Sequence, residues 1–520
     1  MEKNNIKKLG VKLFLAPFLI ALGACNAYGK NYVDENCDWF EPGMAADVDE
    51  NCDWFEPGMA ADVDEYFIGR EDTNSYKEIK EKDFIKTSEN DKSTFSLCST
   101  TSAYTNIRNM VMNYNMIPDK NAIKIEQMLN YFRYSYQVNG DDDLLIFNEV
   151  SDCPWNSNHK LASIAVKAKE AKIEEGSCNF VFLIDVSGSM SEEMALIKKS
   201  FNMLLRNISD NDRISIVTYA NRTETVLDGA SGDQKDLIKQ KVDGLMASGG
   251  TYGQGGIQRA YEIANKHFIE GGNNRVILAT DGDFNIGISN QNELEGFIAS
   301  KRETGVYLTV LGYGMGNYHD NTAETLARNG NGNAFYIDNE STAERLFEQG
   351  ISSTFEVVAK DTKTQVVFNA NQVESYRLLG YENSMLTDKD FHNTEKDAGE
   401  VLSGDVTVAM YEIIPTQDVD LTDNLFTSEI HFKDPSTNED KVVKNEVAIY
   451  SDSQSDDFVF QSLVVEYGLV LRTSEYKGNS SLDHIISRYE NKAQTFNTDF
   501  DREEFYSLVK KTIGLQNQNY

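Results

Sequence analysis

Two apolar runs of this chain end on an aspartate, and a third stretch sets a threonine among glycines. Phe182-Leu183-Ile184 leads into Asp185-Val186-Ser187-Gly188-Ser189, Val276-Ile277-Leu278-Ala279-Thr280 leads into Asp281, and Ser248-Gly249-Gly250-Thr251-Tyr252-Gly253 carries Thr251. Taken alone, Asp185 to Ser189 fits a helix cap, since Asp and Ser cap helices routinely. With Thr251 and Asp281 added, three loops offer hydroxyl and carboxylate oxygens with room for water. Such a set suits a hard cation, Mg²⁺ or Mn²⁺, better than zinc, which takes His and Cys.

The elements that must position these residues are legible from periodicity. The run before Asp185 fits a central parallel strand, and Met194, Ile197, Phe201, Leu204, Leu205 and Ile208 after it fall at helical spacing. Both acids then stand at the carboxyl ends of strands, where open α/β sheets bind ligands. From Cys178 to Phe355 the alternation continues, with strands at 213–220, 275–280, 306–312 and 334–338. Helices are expected at 233–245, 253–268, 291–303, 322–328 and 342–354. This order predicts an α/β fold, a doubly wound parallel sheet of Rossmann-like form.

The order and spacing of Asp185-x-Ser187-x-Ser189, Thr251 and Asp281 resemble the metal-ion-dependent adhesion site of the von Willebrand factor type A fold. The resemblance implies that Ser187, Ser189 and Thr251 supply hydroxyl oxygens while Asp185 and Asp281 act directly or through waters. It leaves the sixth position to a carboxylate from a protein partner. The implied cofactor is a divalent cation, Mg²⁺ first, with Mn²⁺ or Ca²⁺ as alternatives.

Residues 1–25 read as a targeting segment: Lys3, Lys7, Lys8 and Lys12 precede the apolar Leu13 to Leu22, which is short for a permanent span. Leu22-Gly23-Ala24-Cys25 resembles a bacterial lipobox, which implies lipidation of Cys25 and a membrane tether; an ordinary signal peptide is the alternative. The implied location is the bacterial cell envelope, at the outer membrane or cell surface if the source is Gram-negative. Val33 to Asp47 is repeated without change as Val48 to Asp62, so residues 26–65 read as a disordered acidic tandem-repeat stalk. The alternative is that Trp39-Phe40 and Trp54-Phe55 grip a partner. Lipidation would leave Cys37, Cys52, Cys98, Cys153 and Cys178, an odd set in which some disulfide pairing is expected. The formal charge of −34 over 520 residues leaves little cationic surface for phosphates and argues against nucleic acid as a partner.

The flanks carry a second resemblance. Phe95-Ser96, Ala103 to Arg108, Ile125 to Phe132, Cys153-Pro154-Trp155-Asn156 and His159 resemble the N-terminal segment of a family of bacterial type A lipoproteins, YfbK-like. Tyr376 to Asn383, Lys396 to Glu400 and Val406 to Ile413 resemble its C-terminal domain of unknown function. One departure is Cys98-Ser99-Thr100, where relatives carry an Asp-x-Asp. The expected division is a helical and β segment at 66–177, a type A domain at 178–355, and a β-rich then helical domain at 356–520. Strand-like stretches bracket the type A domain at 144–178 and after 355, and they are expected to pair with each other into one sandwich. Phe458 to Tyr476 reads as a packed helix, because Gln461, Glu466, Arg472 and Glu475 interrupt it.

Three functions remain. The first is a lipid-anchored binding module, not an enzyme, whose metal captures an acidic side chain of a protein. The second is an envelope scaffold with a structural metal. The third is a metal-dependent hydrolase using Asp283 or His319, set against the absence of HExxH, P-loop and Gly-x-Ser-x-Gly signatures.

Overall fold

The computed structural model describes residues 76–518 except 98, 139–141, 172–177, 251–254, 283–289, 315–318 and 348–354, and every count below refers to the described residues. The signal segment with Cys25, the repeat with Cys37 and Cys52, and Cys98, Thr251 and Asp283 lie outside them. Among the described residues no helix is long and apolar enough to cross a membrane.

The chain enters through the short strands β1 (Ile85–Lys86) and β2 (Lys92–Ser96). Helices α1 (Ser102–Met112) and α2 (Ile125–Tyr131) follow, then the hairpin of β3 (Leu144–Asp152) and β4 (Lys160–Ala168). Both helices are shorter than the stretches whose apolar residues fall at helical spacing, 102–116 and 121–134. Beyond α1 the chain turns through Asn115 at φ 53°, a left-handed conformation that Asn tolerates, and a separate 3₁₀ turn at Lys120–Ala122 precedes α2.

The α/β domain follows as β5 (Cys178–Asp185), α3 (Met194–Asn207), β6 (Arg213–Tyr219), β7 (Thr223–Ser231), α4 (Lys235–Asp243) and α5 (Gly256–Lys266). It continues through β8 (Asn273–Thr280), α6 (Gln291–Arg302), β9 (Val306–Gly312), α7 (Asp320–Asn329), β10 (Ala334–Tyr336) and α8 (Glu340–Phe347). The sheet order is β10-β9-β8-β5-β6-β7. All of β5 is buried because both faces are covered. Phe180, Phe182 and Ile184 pack with Ile197, Phe201 and Leu204 of α3, while Val181 and Leu183 pack with Ile257 and Tyr261 of α5. This two-sided burial makes the strand read as an unbroken apolar run. One feature differs from the expected all-parallel sheet: β7 joins as an antiparallel edge beside β6. Its polar, half-exposed pattern, Thr223, Glu224, Thr225 and Asp228, hides it from an apolar-run reading.

The chain then returns to the flanking body. Its strands are β11 (Val357–Phe368), β12 (Val373–Leu379), β13 (Met385–Leu386), β14 (Gly399–Leu402), β15 (Val406–Pro415), β16 (Phe426–Lys433) and β17 (Asp440–Asn445), and it closes with α9 (Asp456–Leu471), α10 (Leu482–Glu490) and α11 (Phe500–Gln518). Two sheets form, in the orders β1-β12-β15-β4-β3 and β13-β2-β11-β16-β17. Strands from before and after the α/β domain therefore share both sheets, as the bracketing pattern predicts: β4 pairs with β15, and β2 with β11. Phe95, Val366 and Phe368 of one sheet share a core with Ile164, Tyr376 and Tyr411 of the other. On the other face of β4 and β15, Leu161 and Met410 meet Tyr104 of α1, Phe460 and Leu463 of α9 and Phe505 of α11. The helix read as packed, α9, is buried nearly all round. Cys153 and Cys178 are buried, and no disulfide joins the described cysteines, so the expected pairing is not seen among them.

A seam of buried ion pairs fastens the α/β domain to this body. Arg108 of α1 meets Asp338 at 2.6 Å, and Lys124 meets Glu324 of α7 at 2.6 Å and also Asp320. Arg345 of α8 meets Asp501 of α11 and the Tyr131 carbonyl.

Candidate metal centre

Loops from the carboxyl ends of the parallel strands are stitched together around Asp185. After β5, the Val186 N–H donates to the Tyr219 carbonyl at 3.0 Å, and the Val186 carbonyl takes the Ser248 N–H at 2.8 Å. The Gly188 N–H donates to the Gly249 carbonyl at 2.9 Å, and the Gly250 N–H donates to Asn221 Oδ1 at 2.9 Å. Gly249 has φ +86°, and a Cβ there would lie 2.3 Å from Asn221 Nδ2, so only glycine fits that close turn. After β8, the Gly282 N–H donates to Thr280 Oγ1 at 3.1 Å.

Asp185 is 0 % exposed. Its Oδ1 accepts the Ser187 N–H at 2.8 Å, whereas its Oδ2 is buried without a hydrogen-bond partner. The Ser187 and Ser189 hydroxyl oxygens are 3.0 Å apart. Burial pushes the Asp185 carboxyl up to about 6; hydrogen bonds from Ser187 oppose the rise and the charge of Asp281 adds to it. Asp281 is also buried, while Ser189 is exposed. A dry carboxylate with a spare oxygen beside two hydroxyls is the donor chemistry of a hard-cation site, and a cation there would reverse the cost of ionising it.

Of the five residues read from the sequence, Asp185, Ser187, Ser189 and Asp281 stand at the carboxyl ends of the central strands β5 and β8, and Thr251 lies outside the described residues, just beyond the Gly249-Gly250 turn in sequence. Two residues escaped the sequence reading. Tyr219 faces Asp185 across the β5–β6 ladder, and burial, with Asp185 adding, keeps its phenol protonated. Asn221 ties down the glycine turn. Tyr219 closes an apolar strand and looks like core, so nothing short of strand register would have found it. His319 directly precedes α7, whose first turn is engaged by Lys124.

The family model for the von Willebrand factor type A domain matches residues 179–349, a von Willebrand factor model matches 70–163, and the C-terminal model of uncharacterized protein YfbK matches 353–515. Uncharacterized protein YfbK of Escherichia coli (strain K12) is 32 % identical over 471 residues, covering 85 % of this chain and 82 % of that one. The chain belongs to the YfbK family. Within that family its middle third is a type A domain, a protein-interaction fold that typically binds a divalent cation at its adhesion site. Inter-alpha-trypsin inhibitor heavy chain H4 of Bos taurus is 25 % identical over 209 residues, covering 38 % of the YfbK-family chain and 22 % of its own length. The solved structure of a von Willebrand factor type A protein from Catenulispora acidiphila matches with a TM-score of 0.39 at 14 % identity, over 69 % of this chain and 89 % of that one.

Proposed function

We propose that this chain is a membrane-anchored, metal-dependent binding module that captures a carboxylate of a protein partner. The observation that carries the reading is the buried, unpartnered Oδ2 of Asp185 beside the Ser187 and Ser189 hydroxyls. Asp185, Ser187, Ser189 and Asp281, together with Thr251, would hold the cation, Mg²⁺ first and Mn²⁺ or Ca²⁺ as alternatives. When bound, a cation with partly neutral ligands keeps net positive charge and attracts an acidic side chain. The chain's own part is to keep Asp185 dry, to fix the 187–189 turn through Gly188 and Gly249, and to leave Ser189 open to the partner. The anchor is the lipid on Cys25, which places the module in a bacterial envelope. The role is binding and not catalysis.

Melting of the chain with added Mg²⁺ or chelator tests the site. The wild-type midpoint is expected to rise with Mg²⁺, by the equivalent of about 2.7 kcal/mol at a hundredfold excess over Kd. Ser187→Ala/Ser189→Ala is expected to lose that response, and a wild type indifferent to every cation would sink the reading. A second reading, a scaffold with a purely structural metal, is favoured by the ion-pair seam that holds the type A domain rigidly to the body. Chelator would release a bound partner under the first reading and leave it bound under the second.

A further inference from the structure

Away from the metal centre, a cavity of about 430 Å³ opens between α7 and the sandwich. Its lining includes four carboxyls, and two of these are already engaged: Glu324 holds Lys124 at 2.6 Å and Asp397 holds Arg302 at 3.0 Å. The other two are buried. Glu400 on β14 is 4 % exposed, and its Oε2 is buried with no hydrogen-bond partner. Glu126 on α2 is 8 % exposed and accepts the Tyr381 N–H at 3.0 Å. Neither makes an ion pair among the described residues, although Lys360 and Arg275 act on Glu400, and Arg472 on Glu126, from farther off. At the mouth the sign reverses, where Arg328 and Lys396 are exposed and line the same space.

A buried carboxyl with an unused oxygen is costly unless something arrives to use it. A hard divalent cation collects several oxygen ligands, whereas Glu400 brings one free oxygen. An ammonium group, with three donors and a diffuse shape requirement, suits isolated carboxyls and neighbouring amides better. We propose that this cavity binds a small zwitterion of the amino-acid class, its primary ammonium meeting Glu400 and its carboxylate facing Arg328 and Lys396. Burial supports the assignment by holding Glu400 towards its protonated form. An arriving ammonium ionises it and releases its proton.

The test is titration calorimetry on the full chain with Mg²⁺ present, so that the metal centre is not the variable. The probes are ω-amino acids from glycine to ε-aminocaproate, with n-butylamine and butyrate as controls. One-to-one binding of an ω-amino acid is expected, with proton release read from buffers of different ionisation enthalpy. Glu400→Gln should weaken it at least about tenfold. Arg328→Ala/Lys396→Ala should weaken the amino acid and spare n-butylamine. Should Glu400→Gln fail to fold, Glu400→Asp, which withdraws the carboxylate by one methylene, serves in its place and should weaken binding likewise. The proposal is overturned by no heat from any probe, by a Glu400→Gln protein that binds like wild type, or by K⁺ or Ca²⁺ occupying the site with the same Glu400 dependence.

Discussion

Arg108→Met is expected to destabilise the folded chain by about 3–5 kcal/mol, because it leaves buried carboxylates without their cation. Arg108 donates to Asp338 through two nitrogens, at 2.8 and 2.6 Å, to the Tyr131 hydroxyl at 2.9 Å, and to Glu504 and Thr342. The Asp338 side chain is 1 % exposed, so water cannot replace the guanidinium. Burial works against the Arg108 charge, yet Asp338, Tyr131 and Glu504 together hold it protonated above the ordinary range. The network spans α1, the start of α8 and α11, so its loss loosens the type A domain from the body. Denaturant unfolding followed by tryptophan fluorescence measures the cost. Adding Asp338→Asn to Arg108→Met should recover a large part of it, since the stranded charge is then gone. A single mutant that unfolds within about 1 kcal/mol of wild type would show that solvent reaches the seam.

Stability should also fall as pH rises from about 4.5 to about 7, by up to about 3 kcal/mol from Glu126 alone. Burial, reinforced by Glu382, lifts the Glu126 carboxyl from its ordinary 4.5 to about 7. The sign follows from proton counting. Between those values the unfolded chain has released this proton while the folded chain still holds it, so raising pH favours unfolding. Below 4.5 the penalty is absent, and above 7 it is complete. Glu126→Gln keeps an acceptor for the Tyr381 N–H and removes the titration. Its stability should match wild type near pH 4.5 and exceed it at pH 8. Identical pH profiles for the two proteins would mean that Glu126 is ionised throughout.

Much of the α/β domain was readable before any coordinates because its chemistry is local. A strand covered on both faces is apolar at its centre, so 182–184 and 276–280 announce themselves, and α3 shows its stripe at 3.6-residue spacing. Asp185, Ser187, Ser189 and Asp281 follow from the same logic, since each stands where an apolar strand stops. Edges and lone turns were harder. β7 has one wet face and no apolar run, and α1 ends at Met112, ahead of a turn through the left-handed Asn115 that helical spacing does not encode.

What the sequence alone determined is therefore the order of strands and helices, the oxygen-rich donor set and the bracketing of the type A domain, because these depend on side-chain type and short-range period. Tertiary structure decided what depends on distant segments meeting. It set Tyr219 against Asp185 through strand register and joined β4 to β15 across the inserted domain. It also brought Arg108 to Asp338, 230 residues away, and put Glu126 and Glu400 into one cavity. Burial is a property of neighbours and not of residue type, so no period along the chain reveals which glutamate will be dry.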